Sequence, residues 1–183
     1  MPNYIRANVD GGTYFFTVVT YQRQHLLVSE IARQILRRAV YQAKEQLHFE
    51  INAWVLLPDH FHCILTLPEN DHDFSKRLGM IKSTFSKHAQ HQLNNKLQRN
   101  QSRQRHREAT FWQRRFWEHQ IQNEQDYQNH MDYIHFNPVK HGLVSQVCDW
   151  PWSTFHRHVR EGIYPIDWCG NNMLQQSRLN FGE

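Results

Sequence analysis

Apolar residues recur along this chain with two alternating periods, one typical of strands and one typical of helices. Residues 13–21 (TYFFTVVTY) are rich in β-branched and aromatic side chains and follow a Gly-Gly turn, which predicts a first strand. Between residues 30 and 47 the apolar positions recur at helical spacing behind Ser29, a residue suited to capping a helix N-terminus. The first two elements are therefore predicted to be a strand and an amphipathic helix.

The clearest hairpin in the chain follows this helix. Residues 49–57 (FEINAWVLL) and 60–67 (HFHCILTL) are both strand-like, and the Pro58-Asp59 pair between them favours a tight turn. Residues 74–93 are predicted to be a second helix with one apolar stripe. Its basic side chains are expected largely on the polar side of the helix: Lys76, Arg77, Lys82 and Lys87.

The second half of the chain is less regular. Residues 94–109 (NNKLQRNQSRQRHREA) contain almost no apolar side chain, which predicts a mobile basic insertion within the domain. A fourth strand is predicted at residues 115–121 and a third long helix at residues 124–136. Residues 145–183 form a C-terminal tail that contains Trp150, Trp152, Tyr164 and Trp168, so we expect it to pack back onto the domain.

The order strand, helix, strand, strand, helix, strand, helix is typical of a split β-α-β arrangement. The pattern therefore predicts an α+β fold of the ferredoxin-like type, in which helices cover an antiparallel sheet. With 183 residues the chain has the size of one ordinary domain. We therefore interpret residues 1–183 as a single domain.

Composition narrows the choice of partner. The formal net charge is +4, the isoelectric point is near 9.1 and aromatic residues make up 13% of the chain. This combination suits nucleic acid, which offers phosphates and base faces, although a basic protein without such a partner could have the same composition. The three cysteines form no C-x-x-C pair, which fits a reducing compartment. With no signal-peptide pattern and no apolar run of membrane-spanning length, we expect a cytoplasmic, nucleoid-associated protein without a membrane partner.

Two histidines stand at alternate positions in the second strand of the hairpin. Because side chains alternate along a strand, His60 and His62 are expected on one face of the sheet and Phe61 on the other. Two imidazoles spaced in this way can hold a divalent ion and leave positions open for water or a phosphate oxygen. Taken alone the pattern is weak, and two surface histidines in a chain that has fourteen would be the favoured explanation.

A tyrosine and an asparagine share one face of the third long helix. Tyr133 and Asn137 are four residues apart, so they lie one turn apart on the same side. Pro138 disfavours helical geometry at Asn137, and the helix is therefore expected to end about there, where the amide oxygen can turn toward a metal. Taken alone, a packing role for Tyr133 and a simple helix stop at Asn137 would be the favoured explanation.

Together the two motifs supply the parts of a reaction at a phosphodiester. A tyrosine phenol, with a pKa of about 10, is a weak nucleophile at neutral pH unless positive charge nearby favours the phenolate. A metal held by two neutral imidazoles keeps its full charge and can both polarise the phosphate and stabilise that phenolate. The catalytic tyrosine and the metal ligands must therefore converge in space.

At these residues the chain resembles the single-tyrosine transposases that carry a His-hydrophobic-His (HUH) motif. Residues 54–62 (WVLLPDHFH) resemble the metal-binding motif, and residues 133–144 (YIHFNPVKHGLV) resemble the nucleophile helix and its exit. Shorter segments also fit, namely 111–113 (FWQ), 116–119 (FWEH), 126–127 (DY) and 152–154 (WST). The branch that the chain resembles most is the REP-associated tyrosine transposases, and the resemblance runs from about residue 4 to about residue 168.

The resemblance implies a role for each motif residue. Tyr133 would be the nucleophile, His60 and His62 would bind the metal, and Asn137 would be a third metal ligand. The implied cofactor is Mg²⁺ or Mn²⁺, and the implied intermediate is a 5′-phosphotyrosine that a free 3′-hydroxyl later attacks. The implied partner is single-stranded or hairpin DNA with palindromic repeats, bound by a monomer or a homodimer. The insertion at residues 94–109 is longer than the family pattern leads us to expect.

Basic residues near the aromatic segments or near the end of the nucleophile helix are candidates for DNA phosphate contacts, although solvated surface charge would explain each of them: Arg114, Arg115, Lys140, Arg157 and His158. Tyr127 is a rival nucleophile, but the residue four positions after it is Met131 rather than an amide, so Tyr133 is favoured. His130 and His135 are interpreted as histidines that lie on the helix surface or face DNA.

Two other functions stay open at this level. A hydrolytic nuclease would use the same metal with water as the nucleophile and would form no covalent adduct. A domesticated DNA-binding protein would hold hairpins without turnover. Because the motif residues are all present, the favoured hypothesis is a metal-dependent DNA endonuclease and strand transferase.

Overall fold

The computed structural model describes residues 9–93 and 110–170. The elements in these ranges, in chain order, are β1 (Thr13–Val19), α1 (Glu30–Gln46), β2 (Glu50–Leu56), β3 (His60–Thr66), α2 (Phe74–Gln92), β4 (Trp117–Gln120), α3 (Glu124–Lys140) and α4 (Phe155–Arg160). The predicted order of strands and helices is confirmed. Residues 94–109, predicted to be a basic insertion, and residues 171–183 of the predicted tail lie outside the described residues.

The four strands form one antiparallel sheet in the order β2-β3-β1-β4. The first and third strands are therefore central, and the second and fourth strands are at the edges, as a split β-α-β arrangement requires. The central pair runs without a break from Thr13 opposite Thr66 to Val19 opposite His60. The prediction of an α+β, ferredoxin-like fold is confirmed.

The core has one layer on each face of the sheet. Helices α1 and α2 pack together on the first face, where Phe16 and Phe61 are fully buried. Helix α3 packs on the second face over β2 and β3, where Phe15 and Ile134 are fully buried. Because side chains alternate along a strand, β1, β2 and β3 each contribute to both layers.

Two predicted boundaries are wrong. The fourth strand is shorter than residues 115–121, because only Trp117–Gln120 pairs with β1. Helix α3 does not end at Asn137 but includes Pro138 and continues to Lys140. The helix ends before Gly142, which adopts a left-handed backbone (φ 66°). The N–H of Gly142 donates to the carbonyl of residue 139, and the N–H of Leu143 donates to the carbonyl of residue 138. That hydrogen-bonding pattern is the usual glycine-terminated helix end.

The described part of the tail packs against the edge of the sheet, which confirms the prediction. The backbone N–H of Leu56 donates to the carbonyl of Trp152, and the N–H of Thr154 donates to the carbonyl of Trp54, so the tail covers the outer edge of β2.

The prediction for Arg77 is wrong, because this side chain is buried and donates to the His48 carbonyl. In the described part of the chain, no helix has the length and apolar composition needed to cross a membrane.

Candidate active site

His60 and His62 lie on the face of the sheet that α3 covers, and the prediction that they share a face is confirmed. Both side chains are almost completely buried. Their ring centroids are 4.8 Å apart and the two rings are nearly perpendicular, at 82°. Phe61 between them enters the opposite layer, where it stacks on Trp54 at 4.3 Å. The alternation of β3 therefore separates the polar pair from the aromatic core.

Each imidazole is oriented through its Nδ1 atom. The Nδ1 of His60 lies 2.6 Å from Asp59 Oδ1, and the Nδ1 of His62 lies 2.9 Å from Thr17 Oγ1. Thr17 is in position to do this because it stands directly opposite His62 in the β1–β3 register. When Nδ1–H donates to an oxygen, Nε2 carries the lone pair that a metal needs. Neither Asp59 nor Thr17 is among the site residues predicted from the sequence.

Asp59 is held as a carboxylate. Burial by itself would raise the pKa of Asp59, but the hydrogen bond from His60 and the Arg23 guanidinium outweigh it and lower the pKa to about 2. Arg23 Nη1 donates to Asp59 Oδ2 at 3.1 Å. The backbone carbonyl of Asp59 accepts from both the N–H and the hydroxyl of Thr20, each at 2.8 Å. The turn between β2 and β3 is therefore anchored to the chain that follows β1.

Helix α3 places Tyr133 over the histidine pair. The ring centroid of Tyr133 lies 5.3 Å from that of His62, and Tyr133 is only 3% exposed. Asn137, one turn further along the helix, is fully buried. Lys140 Nζ donates to the phenol oxygen of Tyr133 at 3.0 Å and lies 4.7 Å from the centre of its ring. Lys140 reaches the phenol because the helix continues past Pro138.

A small cavity opens beside His60. Its volume is about 190 Å³, and Arg23, His25, Asp59 and His141 contribute polar groups to its wall. The ring centroid of His141, which follows α3, is 5.4 Å from that of His60. The histidine pair, the phenol and several basic groups therefore converge on one region at the N-terminal end of β3.

Comparison with known proteins identifies the family of the chain. The family described as "Transposase IS200 like" matches residues 8–137. The chain belongs to this family. A REP-associated tyrosine transposase of Escherichia coli (strain K12) is 50% identical over 172 residues, 93% of either chain, and a relative from Haemophilus influenzae is 44% identical over 175 residues, 96% of this chain and 97% of its own. A solved structure of a REP-associated tyrosine transposase bound to a REP hairpin is 50% identical, with a TM-score of 0.77 and coverage of 92% of this chain and 91% of that one.

Membership of the REP-associated tyrosine transposases implies a divalent metal, and the donors of this chain fit one. Two imidazole nitrogens with oriented rings and the amide oxygen of the buried Asn137 would supply a mixed nitrogen and oxygen set. Such a set suits a divalent ion of intermediate softness and leaves room for phosphate oxygens. The residues that could hold the ion are His60, His62 and Asn137.

Not all of the predicted DNA-contact residues lie at this transposase site. Lys140 does, as the partner of the Tyr133 phenol. Arg157 instead donates to the carbonyls of Ile51 and Asn52 on β2, and His158 is only 3% exposed. The remaining two, Arg114 and Arg115, are exposed on the segment before β4.

The rival tyrosine faces elsewhere. Tyr127 lies beside Asn52 and Arg157, near the edge strand, and burial raises its pKa. The interpretation of His135 as a surface or DNA-facing residue is wrong, because it is fully buried and its Nε2 lies 3.1 Å from Thr154 Oγ1. Burial holds the pKa of His135 well below its ordinary value, so the ring is neutral at neutral pH.

His130 is also buried, which corrects its assignment to the surface. Asp126 joins it to His119 on β4: one carboxylate oxygen is 2.8 Å from His119 Nε2 and the other is 3.0 Å from His130 Nδ1. The donor atoms of these three residues lie within 4.8 Å of one another, a spacing that could also hold a cation. Burial by itself would raise the pKa of Asp126, but the hydrogen bond from His119 lowers it. The cluster adjoins the histidine pair through Phe15, which contacts both His130 and His62.

Proposed function

We propose that the protein is a metal-dependent DNA strand transferase that cleaves and rejoins single-stranded or hairpin DNA through a 5′-phosphotyrosine intermediate. The observation that supports this most directly is the convergence of Tyr133 with the histidine pair, at 5.3 Å between the rings of Tyr133 and His62. A phenol that is buried beside two oriented imidazoles and a lysine has the neighbours expected of a nucleophile. A tyrosine that only packs in the core would need none of them.

The nucleophile in this proposal is the phenol oxygen of Tyr133. It loses its proton to solvent and attacks the phosphorus atom, the bond from phosphorus to the 3′-oxygen breaks, and the departing oxygen takes up a proton from solvent to become a 3′-hydroxyl. The 5′-phosphate stays on the tyrosine, so attack by a 3′-hydroxyl reverses the step and rejoins strands without any further reactant. Lys140, whose ammonium donates to the phenol oxygen, stabilises the phenolate.

The other residues prepare the site for the phosphate. Asp59 and Thr17 hold His60 and His62 by their Nδ1 atoms, so Nε2 of each ring is available to a metal. A Mg²⁺ or Mn²⁺ ion bound by these rings and by Asn137 would supply Lewis-acid polarisation of the scissile phosphate. Arg23 and His141, which line the cavity beside His60, offer N–H donors to the same phosphate.

The substrate we propose is palindromic repeat DNA that folds as a hairpin. The relative at 50% identity was solved bound to a REP hairpin, and this chain is basic, with a net charge of +4. We propose that one domain carries the whole reaction, that it acts as a monomer or a homodimer, and that it works at the nucleoid, where its DNA is.

The decisive experiment is an adduct assay on a hairpin oligonucleotide with Mn²⁺ or Mg²⁺, resolved on a denaturing gel. The expected result is a covalent protein–DNA band that Tyr133→Phe abolishes and that the matched change Tyr127→Phe leaves in place. Cleaved strands without an adduct would indicate the hydrolytic nuclease. Binding without turnover under either ion would indicate the domesticated DNA-binding protein.

A further inference from the structure

Two histidines and one aspartate link the edge strand β4 to helix α3. His119 is on β4, and Asp126 and His130 lie one turn apart on α3. The donor atoms of the three side chains lie within 4.8 Å of one another. The two imidazole rings stack almost parallel, with centroids 4.5 Å apart and an angle of 13° between the rings. Both rings therefore present a nitrogen to the same carboxylate.

The spacing of these atoms fits the ligands of one metal ion. Two ligand atoms with bonds of about 2.1 Å to one ion are about 3.0 Å apart at a right angle and about 3.4 Å apart at the tetrahedral angle. Asp126 Oδ2 is 2.8 Å from His119 Nε2, and Asp126 Oδ1 is 3.0 Å from His130 Nδ1. The same separations suit hydrogen bonds, so an ion would replace the protons between the nitrogens and the carboxylate. Small movements of three side chains are sufficient for that exchange.

The surroundings hold the three side chains in place and leave a path for an ion. The backbone N–H of Gln122 donates to Asp126 Oδ2 at 2.9 Å, which fixes the carboxylate as the outer partners of a metal site do. The side chain of His130 is only 5% exposed and packs on the ring of Phe15 at 4.8 Å. The side chain of His119 is 33% exposed, so an ion can enter from solvent and keep water as its remaining ligands.

We propose that His119, Asp126 and His130 form a second metal site, which binds a divalent transition-metal ion such as Zn²⁺. Two imidazole nitrogens and a carboxylate are ligands that Zn²⁺ accepts readily, whereas Mg²⁺ prefers oxygen ligands alone. The site shares no residue with the histidine pair of β3 or with the proposed nucleophile. The inference therefore goes beyond the proposed function and does not rest on it.

An ion at this site would fasten β4 to α3. Strand β4 has four residues and lies at the edge of the sheet, where it pairs with β1. Bonds through the ion would add a cross-link to this short ladder of hydrogen bonds. His130 is three residues before Tyr133, about one turn of the helix. The same cross-link would therefore also restrain the helix that carries the phenol.

The test measures Zn²⁺ binding by equilibrium dialysis, and thermal melting with Zn²⁺ or with EDTA, both without DNA. The cluster variant His119→Gln/Asp126→Asn removes two ligands that are partly exposed, so it should fold. The control variant His72→Gln/Asp10→Asn makes the same changes at an exposed pair whose atoms are 2.6 Å apart. The parent should bind one Zn²⁺ more per chain than the cluster variant, and the control should match the parent. With Zn²⁺ about 100-fold above its dissociation constant, the rise in melting temperature should be about 5 to 10 °C larger in the parent than in the cluster variant.

Equal Zn²⁺ binding by the parent and the cluster variant would overturn the inference. An equal loss in the control variant would do the same, because any exposed pair of histidine and aspartate would then account for the binding. A third variant, His60→Gln/His62→Gln, should still bind Zn²⁺ at the cluster. If that variant is folded by circular dichroism and binds none, the histidine pair accounts for all the zinc and the second site is refuted. The adduct assay decides the proposed function separately, since that chemistry uses none of the three cluster residues.

Discussion

Replacing Lys140 tests whether the lysine acts on the nucleophile or merely on DNA. Lys140→Met keeps most of the side-chain length but removes the ammonium that donates to the Tyr133 phenol at 3.0 Å. If this cation stabilises the phenolate, its loss slows formation of the phosphotyrosine bond while DNA still binds. From the sequence, Lys140 is predicted only to contact a DNA phosphate, and that role would weaken DNA binding without slowing the reaction of bound DNA.

The size of the effect follows from the geometry. A pair of unit charges 3.0 Å apart interacts by about 1.4 kcal/mol in bulk water and by about 5.5 kcal/mol at an effective dielectric constant of about 20. Lys140 is exposed, so water screens the pair and the lower figure applies. A loss of about 1.4 kcal/mol from the transition state slows the step about tenfold.

The assay is single-turnover adduct formation with DNA at saturating concentration, accompanied by a separate measurement of hairpin affinity. The adduct rate of Lys140→Met should fall about tenfold, and Lys140→Arg, which keeps the positive charge, should recover most of it. Raising the pH should restore part of the rate in Lys140→Met, since hydroxide can then replace the missing cation in favouring the phenolate. An unchanged rate at saturation, with a weaker affinity alone, would refute the phenolate role.

Three further predictions concern stability. Arg77→Met should lower the free energy of unfolding by about 3 kcal/mol, because the His48 carbonyl and the Asp71 carboxylate lose a buried donor, and urea denaturation measures this. The hydrogen bond from Arg77 lowers the pKa of Asp71 from 3.8 to about 2. The stabilisation that this pair gives the folded state is therefore complete above pH 3.8 and is lost as the pH falls toward 2. The acid-unfolding curve of Arg77→Met should lack this component. Tyr164→Phe should lower the free energy of unfolding by about 1 to 2 kcal/mol, because the half-buried Asp132 carboxylate loses the phenol that donates to it. A thermal melt should show this as a lower melting temperature.

The fold was predictable because periodicity determines which side chains share a face. Alternation along β3 is sufficient to place His60 and His62 together, and the order of strands and helices is sufficient to select the split β-α-β topology. The partners of the histidines were not predictable in the same way. Thr17 meets His62 only through the β1–β3 register, which local sequence does not determine.

Arg77 shows how residue type can mislead where spacing is informative. It is three residues after Phe74 and four before Ile81, both of which are buried, so helical geometry puts it on the apolar stripe of α2. Because Arg77 is charged, it was predicted to lie on the polar side of the helix. In the structure, the His48 carbonyl and the Asp71 carboxylate accept from the guanidinium, which makes burial of the charge possible.

Helix α3 carries a signal of the site that neither motif shows alone. Five polar residues follow one another at alternating intervals of four and three along it: Asp126, His130, Tyr133, Asn137 and Lys140. That spacing is the spacing of a single helical stripe, and Tyr133 and Asn137 on it are buried against the sheet. Polar groups that a helix buries need hydrogen-bonding partners. Here the sheet provides the His119 side chain at one end of the stripe and the two histidines of β3 at the other end. His130 belongs to this stripe by spacing alone, so its burial follows from the same helical rotation that brings the phenol of Tyr133 to His62.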